Sequence, residues 1–191
     1  GDICNTSVSL PQKLKNRLYY HNFIETTGFV PAGARARFET AINVHDQFSE
    51  NGMPCSIVPH APYSVSGELF RLIADHPGNN MQSMHNQEAA AENEFFNQKS
   101  GDFLALYRKL NIDIDFFVAT GKNSLPSVLH HFKNFRRLIL VHNVYSKEND
   151  IKMALEFFSH QPDLLSFCIC ANANQYIGNG YPPLEKFMAH D

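Results

Sequence analysis

Short apolar runs with strand-like patterning alternate with longer amphipathic segments along the whole chain of 191 residues. Side chains recur with period two along a strand and 3.6 along a helix, so the short runs predict strands and the longer segments predict helices. The predicted strands are residues 2–4, 18–25, 55–59, 81–85, 138–142 and 165–170. Each gap between them has room for a crossover helix, which indicates a parallel α/β fold in one domain over residues 1–191.

Capping and helix-breaking residues predict where several of the helices begin and end. Ser64 is a candidate N-cap for a helix that runs to Ala74 and stops at the sequence His76-Pro77-Gly78. Further helices are expected over residues 147–158 after Ser146, after Pro182-Pro183, and as two short helices between residues 88 and 110 that are broken at Ser100-Gly101.

The charge distribution excludes several classes of partner. The formal net charge is −3 and the longest basic run is the Arg136-Arg137 pair, so neither nucleic acid nor an anionic membrane is expected as a partner. The sequence contains no apolar stretch of membrane-spanning length and no leader pattern at its start, which predicts a soluble, cytoplasmic protein. The four cysteines lack paired metal-site spacing and are expected to be reduced thiols.

Three histidines share one predicted structural position, the last residue of an apolar run before a loop. His60, His85 and His142 each occupy that position. In parallel β/α folds, ligand-binding and catalytic sites lie at the carboxyl ends of the strands. These three imidazoles are therefore expected to lie close together at the mouth of one site, formed by the strand ends. A single histidine of this kind could equally be a partly buried structural residue, and the coincidence of three favours a site.

Glu88 follows His85 by three residues and adds a carboxylate to the same predicted mouth. A neutral imidazole is a good metal ligand, and a neighbouring carboxylate can move protons to and from a water molecule. The His-x-x-Glu spacing arises often by chance, and Glu88 could simply open a helix. Its place at a strand end is what points to chemistry.

Four ordered motifs resemble those of the amidohydrolase superfamily. They are residues 59–66, 85–88, 140–144 and 174–184. The most similar branch holds chlorohydrolases, guanine deaminases and aminodeoxyfutalosine deaminases. The resemblance implies a TIM-like (β/α)8 barrel of which this chain holds about strands 2 to 7, without strands 1 and 8.

The resemblance also implies roles for individual residues. His85 matches the metal ligand on the fifth barrel strand, and Glu88 matches the acid/base that handles the proton of the attacking water. His142 matches the sixth-strand histidine that activates the nucleophile or polarises the group under attack. The remaining matches line the substrate pocket, namely His60, Tyr63, the loop from Asn174 to Gly180, His21 and Glu25.

Two expected parts of the family's metal site have no counterpart in the sequence. The first-strand His-x-His pair is missing, and Asp191 follows a helix-like segment rather than a strand, so it does not replace the eighth-strand aspartate. The chain is then either a segment of a longer protein or a naturally degenerate homologue. With one protein ligand, the segment alone is expected to be metal-free and inactive, whereas the whole protein would hold a divalent metal, zinc or iron.

The expected function is hydrolytic deamination of a cyclic amidine or nucleobase-like small molecule by the full-length enzyme. Dechlorination or amide cleavage is the alternative within the same superfamily, because details of the pocket select the leaving group. A non-catalytic barrel that serves as a binding or interaction scaffold is the alternative from another class. Unpaired edges at the second and seventh barrel strands predict homo-oligomers of the segment.

Overall fold

Six parallel strands in chain order form the central layer of the protein. The structure is a computed structural model that describes residues 1–133, 135–158 and 162–190. Strands β1, β2 and β3 form one parallel sheet, and β4, β5 and β6 form a second. Their bounds are Asp2–Cys4, Asn22–Thr26, Cys55–Pro59, Met81–Asn86, Arg137–His142 and Leu165–Cys168. The predicted α/β fold with parallel strands is therefore confirmed.

Hydrogen bonds join the two sheets between β3 and β4. The backbone N–H of His85 donates to the carbonyl of His60 at 2.8 Å. Near the amino ends of the same strands, the side chains of Asn79 and Gln82 both donate to the carbonyl of Ile57, at 2.8 and 3.1 Å. The six strands therefore run side by side in sequence order, as in a segment of a barrel.

Helices lie in the connections between the strands. In chain order, α1 to α9 are Leu10–Lys13, Ala34–Ser49, Gly67–Ala74, Ala90–Gln98, Asp102–Lys109, Ser124–Val128, Glu148–Phe157, Ala171–Tyr176 and Leu184–Met188. Short 3-10 turns cover Pro31–Gly33, Pro62–Ser64, Leu129–Phe132 and Pro162–Leu164. In the part of the chain that the structure describes, no helix combines the length and apolarity needed to cross a membrane.

The hydrophobic core lies between the sheet and the helices. Ile24, Ile57, Leu138 and Leu140 project from the strands and are fully buried. Apolar side chains of the helices cover them, among them Phe38, Phe48, Leu69, Phe95 and Ala154. This packing fixes the strands, and with them the side chains at their carboxyl ends.

Several predicted boundaries differ from the observed ones. The second strand begins at Asn22 rather than residue 18, because Leu18 and Tyr19 remain exposed and outside the ladder. The sixth strand ends at Cys168 rather than residue 170. The cap of α3 is Ser66, whose hydroxyl accepts the N–H of Leu69, and not Ser64, which lies in the preceding 3-10 turn.

Candidate active site

The three strand-end histidines meet at the carboxyl edge of the sheet. His60 follows β3, His85 lies near the end of β4, and His142 is the last residue of β5. The ring centroids of His60 and His85 are 4.9 Å apart, and those of His85 and His142 are 5.5 Å apart. The three residues that the sequence places at strand ends thus form a row of neighbouring imidazoles.

Glu25 completes a group of possible metal ligands with two of these histidines. Ligand atoms of Glu25, His60 and His85 all lie within 4.8 Å of one another. Two imidazoles and a carboxylate form a donor set that suits zinc or iron. The sequence indicates one ligand on this segment, because the motifs do not show that Glu25 on β2 reaches His85 on β4 across the end of β3.

Hydrogen bonding orients both imidazoles of this group. Nδ1 of His85 lies 2.9 Å from the carbonyl oxygen of His60 and 3.2 Å from Oε1 of Glu25. Nδ1 of His60 lies 2.7 Å from the hydroxyl of Ser64. A ligating histidine typically donates its second ring N–H to a carbonyl or carboxylate in this manner, which directs Nε2 toward the metal.

The surroundings shift the pKa values of the two imidazoles in opposite directions. Burial lowers the pKa of His60, which favours the neutral form that can ligate a metal. Burial also lowers the pKa of His85, but hydrogen bonding to Glu25, its negative charge and the His60 carbonyl outweigh burial and raise it overall. A metal at His85 therefore competes with a proton that Glu25 stabilises.

Glu88 and His142 form a second pair in the same row. Nε2 of His142 lies 3.3 Å from Oε1 of Glu88, and Nδ1 of His142 lies 2.7 Å from Oδ1 of Asn174. A carboxamide oxygen only accepts, so Nδ1 carries a hydrogen in this arrangement. The Glu88 carboxylate faces the other ring nitrogen of the same imidazole. Two side chains of the kinds that exchange protons in catalysis thus lie side by side.

Unusual backbone conformation fixes the end of β5. His142 and Asn143 have φ values of 76° and 59°. This is a left-handed backbone conformation that residues other than glycine rarely adopt. Asn86 stabilises this turn because its side-chain amide donates to Oδ1 of Asn143 at 3.0 Å, while Nδ2 of Asn143 donates to the Leu140 carbonyl at 2.8 Å. Non-glycine strain of this kind concentrates at functional sites.

Tyr63 borders the row on the side of His60. The two ring centroids are 5.9 Å apart, and Tyr63 packs against Phe103 at 4.1 Å. Burial, followed by the charges of nearby glutamates, raises the pKa of the Tyr63 hydroxyl and keeps it protonated. A cavity of about 350 Å³ lies beside Tyr63 and is lined in part by Phe29, Arg37 and Tyr107.

Of the residues expected to line the substrate pocket, His21 lies away from the imidazole row and Asn174 lies against His142. His21 precedes β2 at the amino end of the sheet, where its Nε2 lies 3.0 Å from the hydroxyl of Ser56, so the fold places it away from the imidazole row. Asn174 lies on α8 rather than in a loop and is fully buried beneath His142. It contacts a site residue instead of an open pocket. Asp191 lies outside the described residues.

Glu92 contributes to the site and did not emerge from the sequence motifs. It lies in the first turn of α4, is buried, and accepts a hydrogen bond from the backbone of Gln87 at 2.9 Å. Its sequence signal is a second glutamate four residues after Glu88, on the face of the helix that also buries Phe95 and Phe96.

Comparison with known proteins confirms the resemblance to amidohydrolases. No family model matches the chain. In sequence it is 24% identical over 175 residues to an aminodeoxyfutalosine deaminase of a Nitratiruptor species, across 90% of this chain and 40% of that protein.

Solved structures give the same picture of the fold. Helicobacter pylori aminofutalosine deaminase matches with a TM-score of 0.79 at 19% identity, over 96% of this chain and 45% of that one. Its complex with methylthio-coformycin matches with a TM-score of 0.81 at 18% identity, over 98% and 45%. An amidohydrolase from Brucella melitensis matches with a TM-score of 0.59 at 14% identity, over 95% and 38%. The chain spans less than half the length of each of these relatives.

Proposed function

We propose that this chain is the part of a metal-dependent amidohydrolase that carries its acid/base residues, and that the whole protein removes an amino group by hydrolysis. The observation that carries the proposal is the contact of 3.3 Å between Glu88 and His142, beside the possible metal ligand His85. The similarity to aminodeoxyfutalosine deaminases supports deamination over loss of chloride or cleavage of an amide. In this proposal β1 to β6 correspond to barrel strands 2 to 7.

His85 would hold a divalent metal, zinc or iron, with Glu25 and His60 close enough to contribute ligand atoms. Their imidazole and carboxylate donors match what these metals bind. When bound, such an ion supplies Lewis-acid polarisation that makes water nucleophilic at neutral pH. The segment by itself would not deaminate, because the family's first-strand and eighth-strand ligands have no counterpart in its sequence.

Glu88 would act as the acid/base of the reaction. Its carboxylate takes a proton from the attacking water as the new C–O bond forms at the amidine carbon. It then delivers that proton to the amino nitrogen, so the C–N bond breaks and ammonia leaves. His142, whose Nε2 faces Glu88, steadies the charge that develops during attack.

The proposed substrate is a cyclic amidine or nucleobase-like small molecule. The rings of His60 and Tyr63 lie 5.9 Å apart on one side of the row, where they could contact such a ring. Because related proteins carry the name aminodeoxyfutalosine deaminase, that compound is the first candidate to assay.

Ammonia release by the intact protein tests the proposal. We expect the zinc-loaded protein to deaminate aminodeoxyfutalosine or a related amidine, and both Glu88→Ala and His142→Ala to reduce turnover by about 100-fold or more. The 191-residue chain alone should release none. Unchanged turnover in both variants would show that these residues do not have the proposed roles.

A further inference from the structure

Glu92 is a buried carboxylate directly behind the site. Its side chain is fully enclosed in the first turn of α4, and only 1% of the residue is exposed. Oε1 accepts the backbone N–H of Gln87 at 2.9 Å and the hydroxyl of Ser124 at 2.6 Å. Burying a carboxylate carries a high free-energy cost, so these hydrogen bonds are what make the position tolerable.

Glu92 accepts its backbone hydrogen bond from Gln87, the residue immediately before Glu88. Gln87 has a φ of 46°, in the left-handed region, although it is not glycine. Its side chain is fully buried and donates to Asp150 Oδ2 at 2.8 Å and to Asn93 Oδ1 at 3.0 Å. Hydrogen bonds therefore fix Gln87 through both its side chain and its backbone, and the direction of the next residue is set.

The direction of Glu88 is what the proposed chemistry needs. The Glu88 side chain is about a quarter exposed, and its described polar contact is the 3.3 Å approach of Oε1 to Nε2 of His142. Little else in the described part of the chain limits where this carboxylate points. The direction of the Glu88 carboxylate therefore depends on the backbone conformation at Gln87, the residue that precedes it.

We propose that Glu92 is a positioning residue for Glu88, because its buried carboxylate locks the left-handed turn at Gln87 that aims Glu88 at His142. This inference rests on the proposed role of Glu88 in deamination. Glu92 reaches back from the third position of α4 to a backbone N–H ahead of the helix, an extended form of the capping box. The Ser124 hydroxyl donates to the same oxygen, Oε1, and ties the carboxylate to α6.

Steady-state kinetics of the intact protein test this proposal. Glu92→Ala should lower kcat by about tenfold or more while KM stays within about twofold. The reason is that the direction of the Glu88 carboxylate affects the transition state more than it affects binding of the substrate. Glu92→Gln keeps an oxygen acceptor for the Gln87 N–H and should restore most of the lost kcat. Glu94→Ala, on the exposed face of the same helix, is the matched control and should change neither constant.

Amide hydrogen exchange of the 191-residue chain supplies a second readout that is independent of turnover. Glu92→Ala should reduce protection of the Gln87 amide, whereas Glu94→Ala should not. An unchanged kcat, a Glu92→Gln variant as slow as Glu92→Ala, or unchanged protection of Gln87 would each overturn the proposal. If the wild-type protein releases no ammonia from any amidine, the proposed function fails, and hydrogen exchange still decides whether Glu92 locks the turn.

Discussion

At the residue scale, Glu92 makes the stability of the protein depend on pH. Burial raises its pKa from 4.5 to about 7, against hydrogen bonds from Ser124, Gln87 and Glu88 that lower it. Between these two values the native state binds this proton more tightly than the unfolded state. The contribution of Glu92 to the free energy of unfolding therefore falls as pH rises from 4.5 to 7.

Glu92→Gln removes this titration and should flatten the pH dependence. Relative to wild type, the variant should gain up to about 3 kcal/mol between pH 4.5 and 7, measured by urea unfolding at a series of pH values. The exposed carboxylate of Glu94, replaced by Gln, serves as the control and should leave the slope as it is. Identical slopes in wild type and Glu92→Gln would contradict this account.

The location of individual residues could be predicted where a local sequence pattern shows their place in a strand or helix. His60, His85 and His142 each end an apolar run. The pattern of apolar residues and the residues that end each run were therefore enough to predict that these histidines lie at one edge of the sheet. Glu25 was expected only as a pocket residue, and its contact with His85 depends on how the strand ends lie together. Glu92 required knowledge of which turns lie side by side. Asn174 was expected to line a pocket; it is buried against His142, a contact that depends on which face of α8 is buried.

At the element scale, the N-cap of α3 offers a sharp test of how sequence defines a helix end. The Ser66 hydroxyl accepts the N–H of Leu69 at 3.2 Å and is buried. Ser66→Ala leaves that N–H without its partner and should lower the free energy of unfolding by about 1 kcal/mol. Thermal or urea unfolding measures the change.

Two variants calibrate the cap measurement. Ser66→Asp supplies another capping oxygen and should recover much of the loss. Ser49→Ala, at the exposed end of α2, should leave stability within about 0.5 kcal/mol. If Ser66→Ala is as stable as Ser49→Ala, the hydrogen bond does not contribute as described.

Strands were easier to delimit than helices. The third strand matches its prediction at both ends, and the fourth and fifth differ by one residue, because each is a short segment buried over most of its length. The longest described helix, α2, was expected only as a crossover without bounds. It begins after Gly33, with no side-chain cap, so its start carries none of the usual signals.

At the scale of the whole molecule, the outer strands of the two sheets each pair on one side. Among the described residues β1 pairs only with β2, and β6 only with β5. Ile3, in the middle of β1, is 42% exposed. Open parallel edges with apolar side chains invite pairing with another copy.

The 191-residue chain should therefore associate as its concentration rises, and light scattering should report a mass above 21.7 kDa. Ile3→Lys places a charge on the exposed edge of β1 and should weaken association. A monomer at high concentration would contradict the expectation for wild type.

The central claim is that Glu88, aimed at His142 beside a metal held by His85, moves the proton in a hydrolytic deamination. The most direct measurement is kcat for ammonia release by the intact protein carrying Glu88→Gln, compared with Glu94→Gln. The account predicts that Glu88→Gln lowers kcat by about 100-fold to 10,000-fold and that Glu94→Gln stays within about twofold of wild type. Equal rates in the two variants would contradict it.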